Sequence, residues 1–234
     1  HNNELQYCWT TSWGLSTRFV GAIIMVHGDD QGLVLPPRLA PYQTVLVPIY
    51  KNDEQKATVM PVVSRIAKEL AEAGIRLKVD DREHLTPGFK FNDWELRGVP
   101  SRIEIGPRDV EKNSVALARR DVPGRAGKQF VPQDGLANTV GDLLVEIQAA
   151  LLEKATRFQE AHTFEPADYE GFKEAIKDGF ARVWWAGDND DELKVKEETK
   201  ATIRCIPFDQ PEGSGICFFT GRPADRVAIF GRAY

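Results

Sequence analysis

Thr44-Val-Leu-Val-Pro-Ile-Tyr50 is a short apolar run, and the residues that follow it change period. Such a run suits a strand buried on both faces, with Pro48 its one awkward residue. Over 54–73, Val59, Val62, Val63, Ile66 and Leu70 recur at helical spacing and fall on one face of an amphipathic helix. Pro61 lies in the early part of that helix and can shift its true start, while Gly74 is a suitable stop. A second strand is predicted at 75–79. Strand, helix and strand in this order predict an α/β layer.

The same reading extends outward. Pro87-Gly88 marks a loop, followed by a short helix at 89–96. Short strands are predicted at 102–105 and 115–118. A long helix covers 138–162, with Leu143, Leu144, Ile147, Leu151 and Leu152 at helical spacing. The pattern leaves the strand order open. From 163 onward a helix (168–180) and four strands (183–185, 201–208, 215–219 and 227–230) predict a small α+β unit. Trp184, Trp185, Phe208, Phe218, Phe219 and Phe230 are its expected core. Upstream, Pro36-Pro37 and Pro41 mark a linker that sets 1–42 apart.

Composition narrows the function classes. The 234 residues are 42% hydrophobic, enough for one large domain or two small ones. No run of 18 apolar residues occurs, so no membrane span is predicted, and the polar first residues do not read as a signal peptide. Three cysteines at uneven spacing do not suggest a disulfide framework, and a cytoplasmic protein is the simplest reading. The net charge of −5 argues against coating nucleic acid through bulk charge. Locally the sign reverses: between Arg97 and Lys128, eight Lys/Arg stand against four acids, a net +4. That window is either an ordinary solvated face or a contact for a polyanion.

Near the start stands Thr11-Ser-Trp-Gly-Leu-Ser-Thr-Arg18, then Gly21-Ala-Ile-Ile-Met-Val-His-Gly-Asp-Asp30, then Gly32-Leu-Val-Leu-Pro-Pro37. Arg18 ends a small-residue turn before an apolar run, a layout that carries a forked guanidinium to a polyphosphate. Gly14 and Gly21 allow close backbone approach to a ligand. The string resembles the third signature motif of class II aminoacyl-tRNA synthetases, in the wording of the prolyl-tRNA synthetase family. That resemblance implies Arg18 for the ATP phosphates, and Ser12, Trp13 and Gly14 for a proline pocket. His27, Asp29 and Asp30 have metal-ligand chemistry, but the resemblance implies a structural turn there and no metal.

A second string, Pro87-Gly-Phe-Lys-Phe-Asn-Asp-Trp-Glu-Leu-Arg-Gly-Val-Pro-Ser-Arg-Ile-Glu-Ile-Gly-Pro-Arg-Asp109, resembles the anticodon-binding domain of the same family. Single-stranded bases are read by hydrogen bonds to their edges and by stacking. A proline anticodon carries two adjacent guanines. A carboxylate accepts from guanine N1–H and its amino group, and arginine donates to O6 and N7. Glu95, Arg102, Arg108 and Asp109 supply that mixture, with Arg119 or Arg120 available for phosphate. The competing reading pairs Glu95 with Arg102 as a plain ion pair. Trp94 is expected in the core.

The tail carries Lys196-Glu-Glu-Thr199, Thr202-Ile-Arg-Cys-Ile-Pro-Phe208, Gly221-Arg-Pro-Ala224 and Phe230-Gly-Arg-Ala-Tyr234. It resembles the carboxy-terminal extension of one branch of the family, shared by archaea, eukaryotes and some bacteria. Many members bind zinc there through four cysteines. The matching positions here hold Ala186, Asp191, Cys217 and Thr220, and structural zinc needs four good donors. Zinc is therefore not expected, and Cys205 is expected as a buried small hydrophobe. The resemblance implies that Tyr234 reaches toward the catalytic domain; a merely packed terminus is the alternative.

The expected organisation is α/β throughout. It comprises a remnant of a class II catalytic domain (1–42), an anticodon-binding α/β domain with a mixed sheet and flanking helices (43–162), and a small α+β domain with a degenerate zinc site (163–234). The resemblance implies a part of a proline–tRNA ligase whose parent uses proline, tRNA(Pro), ATP and Mg²⁺ and forms a homodimer. The two earlier class II motifs are not in this sequence, so this part alone is expected to be inactive in proline activation. A non-catalytic accessory module that binds nucleic acid is the alternative, disfavoured by the Arg18 motif. A synthetase for threonine, histidine or glycine is a third option, disfavoured by the tail and the Thr-Ser-Trp-Gly string.

Overall fold

In the computed structural model, which describes residues 5, 7, 8 and 10–232, the first regular elements are helix α1 (Arg18–Val26) and a hairpin of two short strands, β1 (Gly28–Asp29) and β2 (Gly32–Leu33). There follow β3 (Thr44–Pro48), α2 (Asp53–Glu72), β4 (Leu77–Val79), α3 (Pro87–Leu96), β5 (Ser101–Ile105), α4 (Pro107–Glu111), β6 (Ser114–Arg119), β7 (Lys128–Pro132) and α5 (Leu136–Ala161). Five strands form one mixed sheet in the order β4-β3-β5-β6-β7. β3 pairs in parallel with β4 and β5, and the β5-β6 and β6-β7 pairs are antiparallel.

The run 44–50 is this sheet's most buried strand, with all five β3 residues inside. Pro48 is tolerated because it ends the strand, and the ladder resumes with Ile49 N–H donating to Ile105 O. Pro61 does not shift the start of α2. The helix begins at Asp53, where the Asn52 side chain accepts from the Gln55 amide and caps it.

Alternation along the strands splits the sheet into two faces. One packs Leu46, Ile103, Ile105, Val115 and Leu117 against the apolar stripes of α2 and α5. On the other, Val45 and Val47 are roofed by Phe91 and Trp94 of α3 and by Val99 just after it. The rest of that face carries Arg102, Glu104, Ala116, Ala118, Lys128 and Phe130 in register.

The β1-β2 hairpin is docked on the end of α3. Gly98 has φ +72°, and a Cβ there would lie 2.5 Å from Leu33 Cβ and 2.8 Å from its carbonyl carbon. Gly32 has φ +128°, and its Cβ would lie 2.5 Å from Leu96 Cα. Two backbones meet where only glycine fits. Residues before 43 thus pack within the same compact unit as the sheet, which extends to Leu151. The boundary expected near residue 162 follows the last turn of α5, whereas the units part between Leu151 and Leu152.

The second unit contains β8 (Thr163–Phe164), α6 (Tyr169–Asp178), β9 (Phe180–Trp184), α7 (Asn189–Thr199), β10 (Ala201–Cys205), β11 (Gly215–Ile216), β12 (Pro223–Ala224) and β13 (Val227–Arg232). Its main sheet has the order β10-β13-β9-β8. Phe172, Ile176, Val183, Trp185, Val195 and Phe230 form the core, with Trp184, Phe218 and Phe219 packed against it. Two expectations fail. β10 stops at Cys205, before Pro207, so Phe208 lies fully in solvent and Cys205 is exposed. The strand expected over 215–219 is cut to Gly215–Ile216, because the chain turns back at Gly221 (φ +69°) to pair with β12. Tyr234 lies outside the described residues. Among the described residues no helix is long and apolar enough to cross a membrane.

Gly98→Ala is expected to destabilise the first unit by about 3 kcal/mol, the left-handed backbone cost plus the collision with Leu33. Gly135→Ala, also at φ +72° but with nothing within 4 Å of the new methyl, should cost only about 1 kcal/mol. Native-state hydrogen exchange of the β3 amides reads both for this unit alone.

Candidate nucleic-acid interface

The partly roofed face of the sheet holds a pocket of about 360 Å³ between the end of α3, the start of β5, β6 and the loop before β7. Its position follows from how α3 is fixed. Thr86 caps the helix by accepting from the Phe89 amide, with Pro87 in the first turn. Beneath the helix, Asp80 at the end of β4 has a fully buried side chain. Its carboxylate accepts from Arg82 Nε (2.8 Å), Arg82 Nη2 (2.7 Å) and Trp94 Nε1 (2.8 Å). Lys90 Nζ donates to its carbonyl at 3.0 Å, and Arg82 bridges on to Asp93 at 2.9 Å. Burial pushes the Asp80 carboxyl up, but the bonds from Arg82 and Trp94 outweigh it and hold it at about 2. Trp94 is therefore pinned in the core, as the sequence suggests, and Glu95 is presented to the pocket.

Glu95 Oε1 accepts from Arg102 Nη1 at 2.7 Å, so the ion pair read as an alternative does form. Arg102 Nε donates to Glu104 at 3.1 Å, and the other Glu104 oxygen accepts from Lys128 Nζ at 2.6 Å. Arg102 Nη2 and Glu95 Oε2 make no hydrogen bond among the described residues. A donor and an acceptor thus stand side by side at the pocket wall, held by a chain of partners.

Arg120 closes the back. Its side chain is 3% exposed, and it grips both oxygens of Asp29 (2.8 and 2.5 Å) while Nε donates to the Glu95 carbonyl at 3.1 Å. The Arg120 hydrogen bond holds the Asp29 carboxyl below its ordinary value, against a smaller opposing effect of burial. Asp29 is thus committed to a structural role, and Arg120 is not available to a phosphate. Arg119 is bound to Asp121 at 2.7 Å. Arg125, on a single 3-10 turn at the pocket lip, makes no ion pair among the described residues.

The other site residues fall elsewhere. Arg108 is exposed on α4, and Asp109 Oδ2 accepts from the Gly106 amide at 2.8 Å, capping that helix. Both follow the far end of β5, while the pocket sits at its start, so neither lines it. Ser12, Trp13 and Gly14 are exposed ahead of α1. Arg18 is exposed in its first turn, and no α1 residue is buried. At the four zinc-like positions, Cys217 is buried. Burial pushes its thiol up, but hydrogen bonds from Thr220 and neighbouring amides, Ala186 among them, bring it below the ordinary value. Asp191 accepts from Arg222 at 2.8 Å, an ion pair where a metal ligand would otherwise stand.

Gln31, Arg125 and Lys128 line the pocket without having been singled out in the sequence. The +4 window contains the two cations, but nothing in their local spacing marks them. Gln31 reaches the pocket only because of the hairpin's docking on α3.

Comparison with known proteins adds the family context. Residues 43–139 match a model described as anticodon binding domain, and 169–234 match one described as prolyl-tRNA synthetase, C-terminal. The chain is similar over its whole length to a proline–tRNA ligase of Chloroflexus aurantiacus, 58% identical and covering 48% of that protein. It is 52% identical to the chloroplastic/mitochondrial proline–tRNA ligase of Arabidopsis thaliana, covering 44% of it. A proline–tRNA ligase of Christiangramia forsetii is 45% identical over 98% of the chain, which covers 46% of that protein. The chain spans about half the length of the curated relatives it matches.

Asp80 ties stability to acid pH. Its pKa is lower folded than unfolded, so its contribution is present above the unfolded value near 4 and is lost as pH falls through about 2. Urea unfolding at stepped pH should show a loss of about 2 kcal/mol across that window, and Asp80→Asn should flatten it. Separately, Asp29→Ala leaves the buried Arg120 guanidinium short of its carboxylate and should cost about 2 kcal/mol. Arg120→Leu added to Asp29→Ala should return part of that loss, again read by exchange of the β3 amides.

Proposed function

The chain belongs to the prolyl-tRNA synthetase family, and on that premise we propose that it is the tRNA-reading part of a proline–tRNA ligase, with the pocket at Glu95 and Arg102 taking an anticodon guanine. The observation that carries this reading is the open donor and acceptor pair, Arg102 Nη2 and Glu95 Oε2, at the wall of a pocket large enough for a flat heterocycle. Guanine offers N1–H and an amino group to a carboxylate and O6 to a guanidinium, whereas adenine presents no donor at N1. Glu104 restrains both Arg102 and Lys128, so the guanidinium is oriented before a base arrives. Arg125 at the lip is free to meet a phosphate. Arg108 and Asp109, further along β5, would meet a neighbouring part of the loop rather than the same base.

In the whole protein, proline is activated by ATP with Mg²⁺ and passed to tRNA(Pro), which is work of the cytoplasm. Arg18 suits the ATP phosphates: it extends from the first turn of a nine-residue helix, whose amides and dipole also favour an anion. Ser12, Trp13 and Gly14 precede it as a wall of the proline pocket, and a role for Tyr234 at the same site goes with this reading. Their exposure, and the absence of any buried residue in α1, is what a surface awaiting further catalytic structure would show. A homodimer of the whole protein belongs to the same reading.

The test is binding of an RNA hairpin with a proline anticodon in its loop. Glu95→Gln and Arg102→Lys should each weaken it by about 1–3 kcal/mol and reduce the preference for guanine over adenine. Unchanged binding by both variants would favour a module with another target. Proline-dependent pyrophosphate exchange by this chain alone should be undetectable.

A further inference from the structure

The open half of the sheet carries an aromatic ring that the pocket does not use. Phe130, on β7, is 71% exposed. Its neighbour Val131 packs into the core beneath α5, so Phe130 points to the pocket side of the sheet. The register places it. Ala118 pairs with Arg102 and Lys128, a row that lines the pocket. The next row on the same face is Glu104, Ala116 and Phe130, about 7 Å further along the strands. Ala116 is too short to cover the ring across the ladder. Arg102 and Lys128 in the first row are balanced by Glu95 and Glu104, so the unpaired positive charge at the pocket comes from Arg125. An exposed aromatic face one row beyond a base pocket is an arrangement by which proteins hold single-stranded nucleic acid.

We propose that Phe130 is a stacking platform for the nucleobase that flanks the two guanines, next to the one held by Glu95 and Arg102. The proposal rests on the anticodon reading of that pocket. Every base has a π-face, so stacking adds affinity with little dependence on base identity. Phe130 would then supply grip, and Glu95 the choice of guanine.

The probe is an RNA hairpin with a proline anticodon in its loop, carrying 2-aminopurine on either side of the two guanines in turn. On binding the unaltered chain, the fluorescence of one of these positions should be quenched by stacking. Phe130→Ala should remove that quenching and raise Kd about tenfold while keeping the preference for guanine over adenine. Phe130→Trp should retain both quenching and affinity. The exposure of Phe130 makes both variants compatible with folding. If Phe130→Ala binds and quenches as the unaltered chain does, while Glu95→Gln loses the guanine preference, the platform is refuted and the pocket reading stands. Loss of the guanine preference in Phe130→Ala also refutes it, because the ring would then belong to base selection. If neither Glu95→Gln nor Phe130→Ala changes binding, the pocket reading fails and takes the platform with it.

Discussion

A buried carboxylate organises the first unit. Asp80 leaves water entirely, a cost no protein bears without partners, and Arg82 and Trp94 answer it with three hydrogen bonds. Those bonds join the end of β4 to the last turn of α3. The helix therefore cannot rotate or slide on the sheet without orphaning a charge. Glu95 follows Trp94 directly, so its position is inherited from that constraint. A well-packed apolar substitute would not fix one rotation so sharply.

From that anchor, order passes outward through paired charges rather than apolar contact. Glu95 meets Arg102, Arg102 meets Glu104, and Glu104 meets Lys128 across β6. The floor beneath them is Ala118, whose short side chain leaves room for a planar guest. The opposite face of the same strands is aliphatic at its centre, where Leu46, Ile103, Ile105, Val115 and Leu117 pack on α2 and α5. Period-two alternation thus separates the parts that hold the sheet from the parts that face solvent.

Legibility of the sequence tracked local periodicity. The strand at β3 and helices α2 and α5 were readable because their apolar residues repeat at one period over a full element. Helix α7 was not, since 189–199 is mostly charged and its start is marked only by the Asp188 and Asp191 capping box. β7 was missed because its edge strand has a single inward apolar residue, Val131, with Gln129 before it on the same face and Pro132 closing the strand. Phe208 and Cys205 were placed inside by residue type alone, and the turn at Pro207 put them outside. At the site, Glu95 and Arg102 were legible as a charge pair in a recognisable string. Arg120 and Asp29 were not, because their partnership spans 91 positions and depends on two close approaches, Gly32 against Leu96 and Gly98 against Leu33.

That glycine contact separates a unit of resemblance from a unit of folding. The anticodon-binding match begins at residue 43, yet Asp29, Gly32 and Leu33 are built into the end of α3. A polypeptide cut at residue 43 would keep every strand of the five-stranded sheet. It would also bare the Leu96–Gly98 backbone and strip Arg120 of the carboxylate that balances it. The module that evolution copies is thus shorter than the one chemistry can sustain, and the missing piece is a two-stranded clip of six residues, Gly28 to Leu33.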